Sequence, residues 1–227
     1  MRVWVTRDEP ADGPLSAALR DAGQDIIHAP VVRRTAVGDP GELLAGMREG
    51  DWLVMTSPFA IEAIPVDVAR RGRIAVVGAP SRKAAQRRGL TVAFTPSEPT
   101  GACLFRELAE TIGSSESSAR IWYPRSAAAS EPELPETVTC ISPVLYDTDA
   151  IAYDEALVAE AEMIAFASPT AVRAVREIAA KTASIGPTTT AALGERGVTP
   201  DVIAKTPSFT ALARAIQEMD ESRHQRA

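Results

Sequence analysis

Ile185-Gly186-Pro187-Thr188-Thr189-Thr190-Ala191-Ala192-Leu193, running on to Arg196-Gly197, is the stretch that decides the fold. An apolar run ends at Ile185. A glycine and a proline follow, and then a set of small residues suited to a helix. The order reads as strand, tight turn, helix. Gly186 is expected to take backbone angles that other residues avoid. Pro187 suits the first helical position, where its missing N–H would have no intrahelical partner in any case. The amides of Thr188 and Thr189 then fall in the first turn, unpaired within the helix. With their hydroxyls they form a donor cluster matched to a carboxylate or phosphate. A helix start that only caps itself would show the same residues.

A second copy favours the anion-binding reading. Val77-Gly78-Ala79-Pro80-Ser81, running on to Arg88-Gly89, repeats the pattern at an offset of 108 residues. The same offset pairs Ala84 with Ala192, Pro99 with Pro207 and Leu104 with Leu212. Upstream, Ser57-Pro58-Phe59-Ala60-Ile61 matches Ser168-Pro169-Thr170-Ala171-Val172 at offset 111. Pro30-Val31 matches Pro143-Val144 at offset 113. Arg2-Val3-Trp4 and Arg7 match Arg120-Ile121-Trp122 and Arg125 at offset 118. Ordered agreement at several sites marks a duplicated α/β unit with small deletions in the second half.

Strands are expected at 2–6, 25–32, 51–55, 73–77, 91–94, 121–123, 138–145, 162–167, 182–185 and 200–204. Helices are expected at 14–22, 42–48, from Ser57-Pro58 onward, 81–88, 101–112, 154–160, 170–181, 188–196 and 208–219. Residues 33–40 read as a polar connection and the Ser-rich 113–119 as a surface loop. The charged tail from Asp220 is expected to fray. Alternating strands and helices imply parallel sheets covered on both faces, with ligands beyond the carboxyl ends of the strands. Ser57 and Ser168 are N-caps there, with Pro58 and Pro169 at the first helical position. Each half thus offers two helix starts with free amides. If the halves face each other, four such starts line one cleft suited to a polyanion.

Composition narrows the class. The 227 residues suffice for two small domains, and the repeat favours that number. No apolar run is long enough to span a membrane, and the N-terminus has no secretory pattern. Cys103 and Cys140 lack metal-ligand spacing, so no metal, structural zinc or disulfide framework is expected. The repeat also separates the two cysteines, which excludes a two-cysteine racemase. A formal charge of −6 argues against bulk nucleic-acid binding. There is no phosphate loop with Lys-Ser/Thr. A cytoplasmic protein is expected.

Among basic residues, Arg7 and Arg125 occupy equivalent places after the first strand of each half and are the candidates for anion contact. Arg82 and Lys83 directly follow a turn. Arg87 and Arg88 read as a solvated helix end, where cations suit the dipole. Tyr146 follows Pro143-Val144-Leu145, in a connection between the halves, and offers either packing at a hinge or a phenol donor.

Together these residues resemble the uroporphyrinogen-III synthase family, over nearly the whole chain. The most specific parts are Ile185-Gly186-Pro187-Thr188-Thr189 with Ala192-Leu193, Gly197 and Pro207-Ser208. Thr56-Ser57-Pro58, Ser168-Pro169, Val77-Gly78 and Thr6-Arg7 fit as well. The resemblance implies an enzyme that cyclises hydroxymethylbilane, a linear tetrapyrrole with eight carboxylates. It removes the terminal hydroxyl as water and inverts the last pyrrole through a spiro intermediate, without metal or organic cofactor. It implies Tyr146 as the catalytic donor to the departing hydroxyl. Ser81, Thr188 and Thr189 are implied as substrate-binding, together with Arg7, Ser57, Pro58, Phe59, Arg125, Ser168 and Pro169. The 126–130 segment, Ser-Ala-Ala-Ala-Ser, departs from the Gly-containing basic turn of relatives, and Asp8 stands where proline is common.

The repeat alone points to two contiguous halves split near 114–119. The family resemblance implies instead one domain from 1–33 plus 150–227 and another from 34–149. Linkers near 33–36 and 145–149 would form a two-stranded ladder, with the active-site cleft between the domains. A monomer with a small-molecule substrate, without nucleic-acid or membrane partners, is expected. The alternative is a non-catalytic tetrapyrrole- or polyanion-binding paralogue.

Overall fold

The computed structural model describes residues 1–115 and 120–224. In chain order its elements begin with β1 (Arg2–Val5), α1 (Pro14–Asp21), β2 (Asp25–His28), β3 (Val32–Ala36), α2 (Pro40–Leu43), β4 (Trp52–Met55), α3 (Pro58–Ala63) and α4 (Val66–Ala69). Then come β5 (Arg73–Val76), α5 (Ala79–Arg87), β6 (Val92–Phe94), α6 (Gly101–Ser115), β7 (Ile121–Trp122), β8 (Arg125–Ser126), β9 (Cys140–Ile141) and β10 (Val144–Ala150). The chain continues with α7 (Glu155–Val158), β11 (Met163–Phe166), α8 (Pro169–Ala174), β12 (Lys181–Ser184), α9 (Pro187–Glu195), β13 (Val202–Ile203) and α10 (Phe209–His224).

The chain divides into two compact units, Met1–Arg34 with the chain from Asp149 onward, and Thr35–Thr148. The first unit holds a parallel sheet in the order β13-β12-β11-β1-β2. The second holds a parallel sheet in the order β6-β5-β4-β7-β9. Central strands β4 and β11 are buried along their whole length. Strands β1, β5 and β12 each open on an exposed Arg or Lys and are buried thereafter. Continuous apolar runs of this kind belong to strands covered on both faces.

Period-2 alternation divides each sheet between two cores. In the first unit Val3 and Met163 pack with Leu15 and Leu212, under α1 and α10. On the other face Trp4 and Ile164 pack with Val172 and Leu193, under α8 and α9. In the second unit Leu53 and Trp122 face Ile61 and Ala84, whereas Trp52 and Ile121 face Leu104 and Leu108. The two repeat-related tryptophans, Trp4 and Trp122, therefore occupy matching faces, each under the pair of helices that carries the repeated motifs.

A third, three-stranded sheet has the order β3-β10-β8. The Val37 amide donates to the Leu145 carbonyl, and the Ile151 amide to the Val31 carbonyl, each at 2.9 Å.

Several boundaries differ from those read in the sequence. The expected strand over 25–32 is two strands, β2 and β3, parted at Ala29-Pro30-Val31, and β3 continues into the supposed polar connection. The expected strand over 138–145 is likewise split at Ser142-Pro143. Proline has no N–H for a ladder at either break. The expected helix 42–48 is the short α2, and 154–160 is α7. Helix α8 stops at Ala174 rather than near 181, because Val175 turns extended (φ −70°, ψ 124°). α6 runs through Gly113 to Ser115, so that part of the supposed loop is helical; 116–119 lie outside the described residues. The tail does not fray at Asp220: α10 continues to His224, and the chain's amino group is 2.9 Å from the Asp220 carboxylate.

The repeated Arg-Gly pairs have a structural role that differs from a solvated helix end. From the end of α5, the Arg88 guanidinium donates to the carbonyls of Ile61 and, at 2.7 Å, Ile64 on α3 and its C-cap. From the end of α9, Arg196 donates to the carbonyls of Val172 (2.8 Å), Val175 and Arg176 (2.8 Å). Each arginine satisfies the orphan carbonyls of a short neighbouring helix, where a cation also meets the negative end of the dipole. Gly89 and Gly197, directly after, have φ of +66° and +72°, the left-handed cap that glycine permits.

Candidate functional site

In the second unit the structure brings together three of the residues singled out from the sequence. Ser57 is the N-cap of α3, and its Oγ accepts from the Ala60 amide at 3.1 Å. The same Oγ lies 3.1 Å from the Tyr146 hydroxyl. Phe59, on the first turn of α3, meets the Tyr146 ring edge-to-face with centroids 4.6 Å apart. Tyr146 stands on β10, half-buried at the edge of the core beneath α3. Its carbonyl accepts from the Ala127 amide at 2.9 Å, and its strand runs parallel to β8. Pro58 opens α3 beside Ser57. Ring and hydroxyl are thus both held by the start of α3.

Arg125 sits on β8, next to β10. Its guanidinium holds the following loop, donating to the Ala129 carbonyl at 2.8 Å and lying 3.5 Å from the Glu131 carboxylate. Its Nε is buried without a hydrogen-bond partner. Ser81 is buried in the first turn of α5, whose first intrahelical bond runs from Arg82 N to Gly78 O.

In the first unit the matching helix starts are braced by side chains. Ser168 caps α8 through the Ala171 amide at 3.2 Å. At the opening motif, Ser184 Oγ donates to the Gly186 carbonyl (3.1 Å) and accepts from Thr190 Oγ1 (2.9 Å). The first intrahelical bond of α9 runs from Thr190 N to Gly186 O, so the Thr188 and Thr189 amides precede it. Thr188 is exposed, whereas Thr189 is buried. Gly186 has φ 171° and Gly78 φ 178°, extended angles open to any residue. The expected need for special angles is therefore corrected. A Cβ on Gly78 would lie 3.2 Å from Pro99 Cβ, and one on Gly186 would lie 3.4 Å from Pro207 Cβ. Close approach of Pro99 explains Gly78 better than φ, whereas the Pro207 contact at Gly186 is of ordinary length.

Arg7 follows β1 in the first unit and is partly buried. Its Nε is 3.2 Å from the Glu9 carboxylate but is not aligned to donate to it, and it is buried without a hydrogen-bond partner. The guanidinium lies 4.8 Å from the centre of the Phe209 ring. Burial lowers the Arg7 pKa, and the charge of Arg34 lowers it further; Glu9 and Asp8 pull the other way.

Glu9 and Asp8 are the residues that sequence reasoning missed. Glu9 accepts from the amides of Leu15 (3.2 Å) and Ser16 (2.8 Å), capping α1 from outside the helix. Asp8 accepts from the Arg34 amide (3.0 Å) and Nε (2.9 Å), tying the β1 turn to β3. The run Arg7-Asp8-Glu9 was the available signal.

The cysteines are not built for nucleophilic chemistry. Burial, then Glu131, raises the Cys140 pKa to about 11, and Cys103 Sγ is 3.0 Å from Glu107 as a donor. Among the described residues no group of three His, Cys, Asp or Glu side chains could hold a metal ion. No helix among them is long and apolar enough to cross a membrane.

Comparison with known proteins bears on this site. The family profile described as Uroporphyrinogen-III synthase HemD matches residues 13–214. Two solved structures share the fold. Uroporphyrinogen-III synthetase from Helicobacter pylori superposes with a TM-score of 0.62 at 16% identity, covering 96% of this chain and 100% of that one. A mutant uroporphyrinogen III synthase from the extremely thermophilic bacterium Thermus thermophilus gives 0.57 at 15% identity, covering 99% of both chains. No curated protein matches the chain by sequence.

Proposed function

The chain belongs to the uroporphyrinogen-III synthase family, and from that premise we propose that it is a cofactor-free hydro-lyase of the cytoplasm that closes hydroxymethylbilane to uroporphyrinogen III. The observation that carries the reading is the family match over residues 13–214, which takes in both copies of the repeated helix-start motif. The fold and the helix starts described above agree with it.

The chemistry asks little of acids and bases. The bond from the terminal methylene to its hydroxyl breaks with the electron pair on oxygen. That oxygen takes a proton and leaves as water, and the charge left behind spreads over the pyrrole as an azafulvenium cation. Tyr146 donates a hydrogen bond to the departing oxygen, which a neutral phenol can do. The substituted carbon of the last pyrrole then attacks, and the spiro species reopens and closes inverted. The macrocycle finally loses a proton, so proton uptake and release balance.

Most of the selectivity is positional. In the first unit Arg7, Ser168, Pro169, Thr188 and Thr189 bind the substrate, with the arginine, hydroxyls and helix-start amides meeting its carboxylates. In the second, Ser57, Pro58, Phe59, Ser81 and Arg125 do so. Backbone amides and a few arginines let an acidic protein hold a polyanion. The working form is a monomer whose domains are 1–33 with 150–227, and 34–149.

Freshly prepared hydroxymethylbilane tests the activity directly. The III isomer above the blank is expected, because uncatalysed closure yields the I isomer. Only the I isomer at the blank rate would end the enzyme reading and favour a binding paralogue. Tyr146→Phe is expected to slow turnover without abolishing it. Complete loss with the fold intact would give Tyr146 a larger role.

A further inference from the structure

We infer that Ser57 is a positioning residue that acts through Tyr146: its hydroxyl donates to the phenol oxygen and leaves the phenol proton free for the substrate. The inference rests on the proposed synthase activity and reassigns Ser57 from a carboxylate contact to the control of one proton.

Three contacts support it. Ser57 Oγ accepts from the Ala60 amide at 3.1 Å, so one of its two lone pairs is already committed. The Tyr146 hydroxyl is 3.1 Å away, with either oxygen able to donate. Phe59, two residues along the same helix start, fixes the Tyr146 ring by an edge-to-face contact at 4.6 Å. If Tyr146 donated to Ser57, the phenol proton would be used inside the protein. If Ser57 donates, the order is Ala60 N–H to Ser57 O–H to Tyr146 O–H, with every oxygen both accepting and donating. Chains of that kind reinforce each bond along them. The Ser57 donor bond also strengthens as charge builds on the phenol oxygen while it gives up proton density to the leaving hydroxyl.

The repeat shows that the arrangement is more than capping. Ser168 is the equivalent cap, accepting from Ala171 at 3.2 Å. Phe59 corresponds there to Thr170, and the nearby tyrosine of that unit, Tyr153, instead accepts from the Arg176 amide at 3.0 Å. Capping alone thus needs Ser-Pro and no more, while in the second unit Phe59 holds a phenol that reaches the cap oxygen itself.

Steady-state kinetics on hydroxymethylbilane decide it, using Ser57→Ala, Ser57→Thr, Tyr146→Phe and the Ser57→Ala/Tyr146→Phe double variant. Asp39→Ala, which removes the α2 cap in the same unit, controls for lost capping. Ser57→Ala should lower kcat by about three- to tenfold, the worth of one hydrogen bond, with KM little changed. Ser57→Thr, which both caps and donates, should restore kcat. The double variant should be no slower than Tyr146→Phe alone, and Asp39→Ala should keep the wild-type kcat. Multiplying effects in the double variant, an unchanged kcat in Ser57→Ala, or failed rescue by threonine would each overturn the inference. A wild-type protein yielding only the I isomer would end the synthase reading itself, a result distinct from any of these.

Discussion

At the scale of the residue, the repeated glycines separate two explanations that a sequence cannot separate. Glycine before a helix reads as a need for unusual φ. Here φ is extended at both positions, and the neighbour is a proline Cβ at 3.2 Å from an added Cβ on Gly78 and 3.4 Å on Gly186. The difference is testable. Gly78→Ala must push Pro99 aside and should cost about 1–2 kcal/mol, as small overpacking does. Gly186→Ala meets Pro207 at ordinary contact distance and loses unfolded-state entropy, so it should be neutral within about 0.5 kcal/mol. Urea unfolding of the two variants compares them; equal losses would return the explanation to backbone angle. Pro99 and Pro207 were already matched in the sequence, but their contact with the glycines was not legible, because it joins residues 21 positions apart in each copy.

At the scale of the element, the shortness of α3 and α8 has a cause. Each is six residues long, too short to persist on its own. Each is closed at its start by a serine and at its end by an arginine from the end of a packed neighbour, α5 or α9. Arg88 thereby joins the Ser57 helix to the helix that carries Ser81. Arg196 joins the Ser168 helix to the one that carries Thr188 and Thr189. Replacing either arginine by methionine keeps much of the stem but strands partly buried carbonyls. A loss of about 1–3 kcal/mol is expected for each, with lysine recovering part of it. Denaturant midpoints check this, and a loss below about 0.5 kcal/mol would show that water takes over the carbonyls. The arginines were visible as a repeated pair, yet Arg88, at the end of its helix, read as solvated. Which carbonyls they reach depends on how two helices pack, and local pattern does not carry that.

At the scale of the whole molecule, acid should destabilise both units. Three carboxyl groups have lowered pKa values in the folded chain. The Ser97 hydroxyl, then Cys103 and the Ser97 amide, lower Glu107 to about 2. For Asp51 burial acts upward, but hydrogen bonds from Arg120, the Arg48 amide and Trp122 outweigh it. In the first unit the Arg2 amide holds Glu162 down. A depressed carboxyl binds protons more weakly when folded than when unfolded. Its contribution is therefore present above the unfolded value, 4.5 for Glu107, and is lost as pH falls toward the folded one. Denaturant midpoints should be level near neutrality and fall between about pH 4.5 and 2. Glu107→Gln should flatten part of that fall, and an unchanged midpoint at about pH 3 would refute the assignment.

Much at this scale was legible in the chain alone. Strand–turn–helix alternation, the duplication and the positions of the helix starts follow from short-range rules: apolar period, proline and glycine placement, and serine capping. These act within a few residues, so they leave a mark in the order of residues. The tertiary structure alone decided the rest. It showed that Ser57, Phe59 and Tyr146 meet, and that Arg7 pairs with Glu9 and sits over Phe209. Ser57 and Tyr146 are 89 positions apart. Contacts at that separation arise from packing the sheets and helices as bodies, and no local preference of either residue encodes its partner.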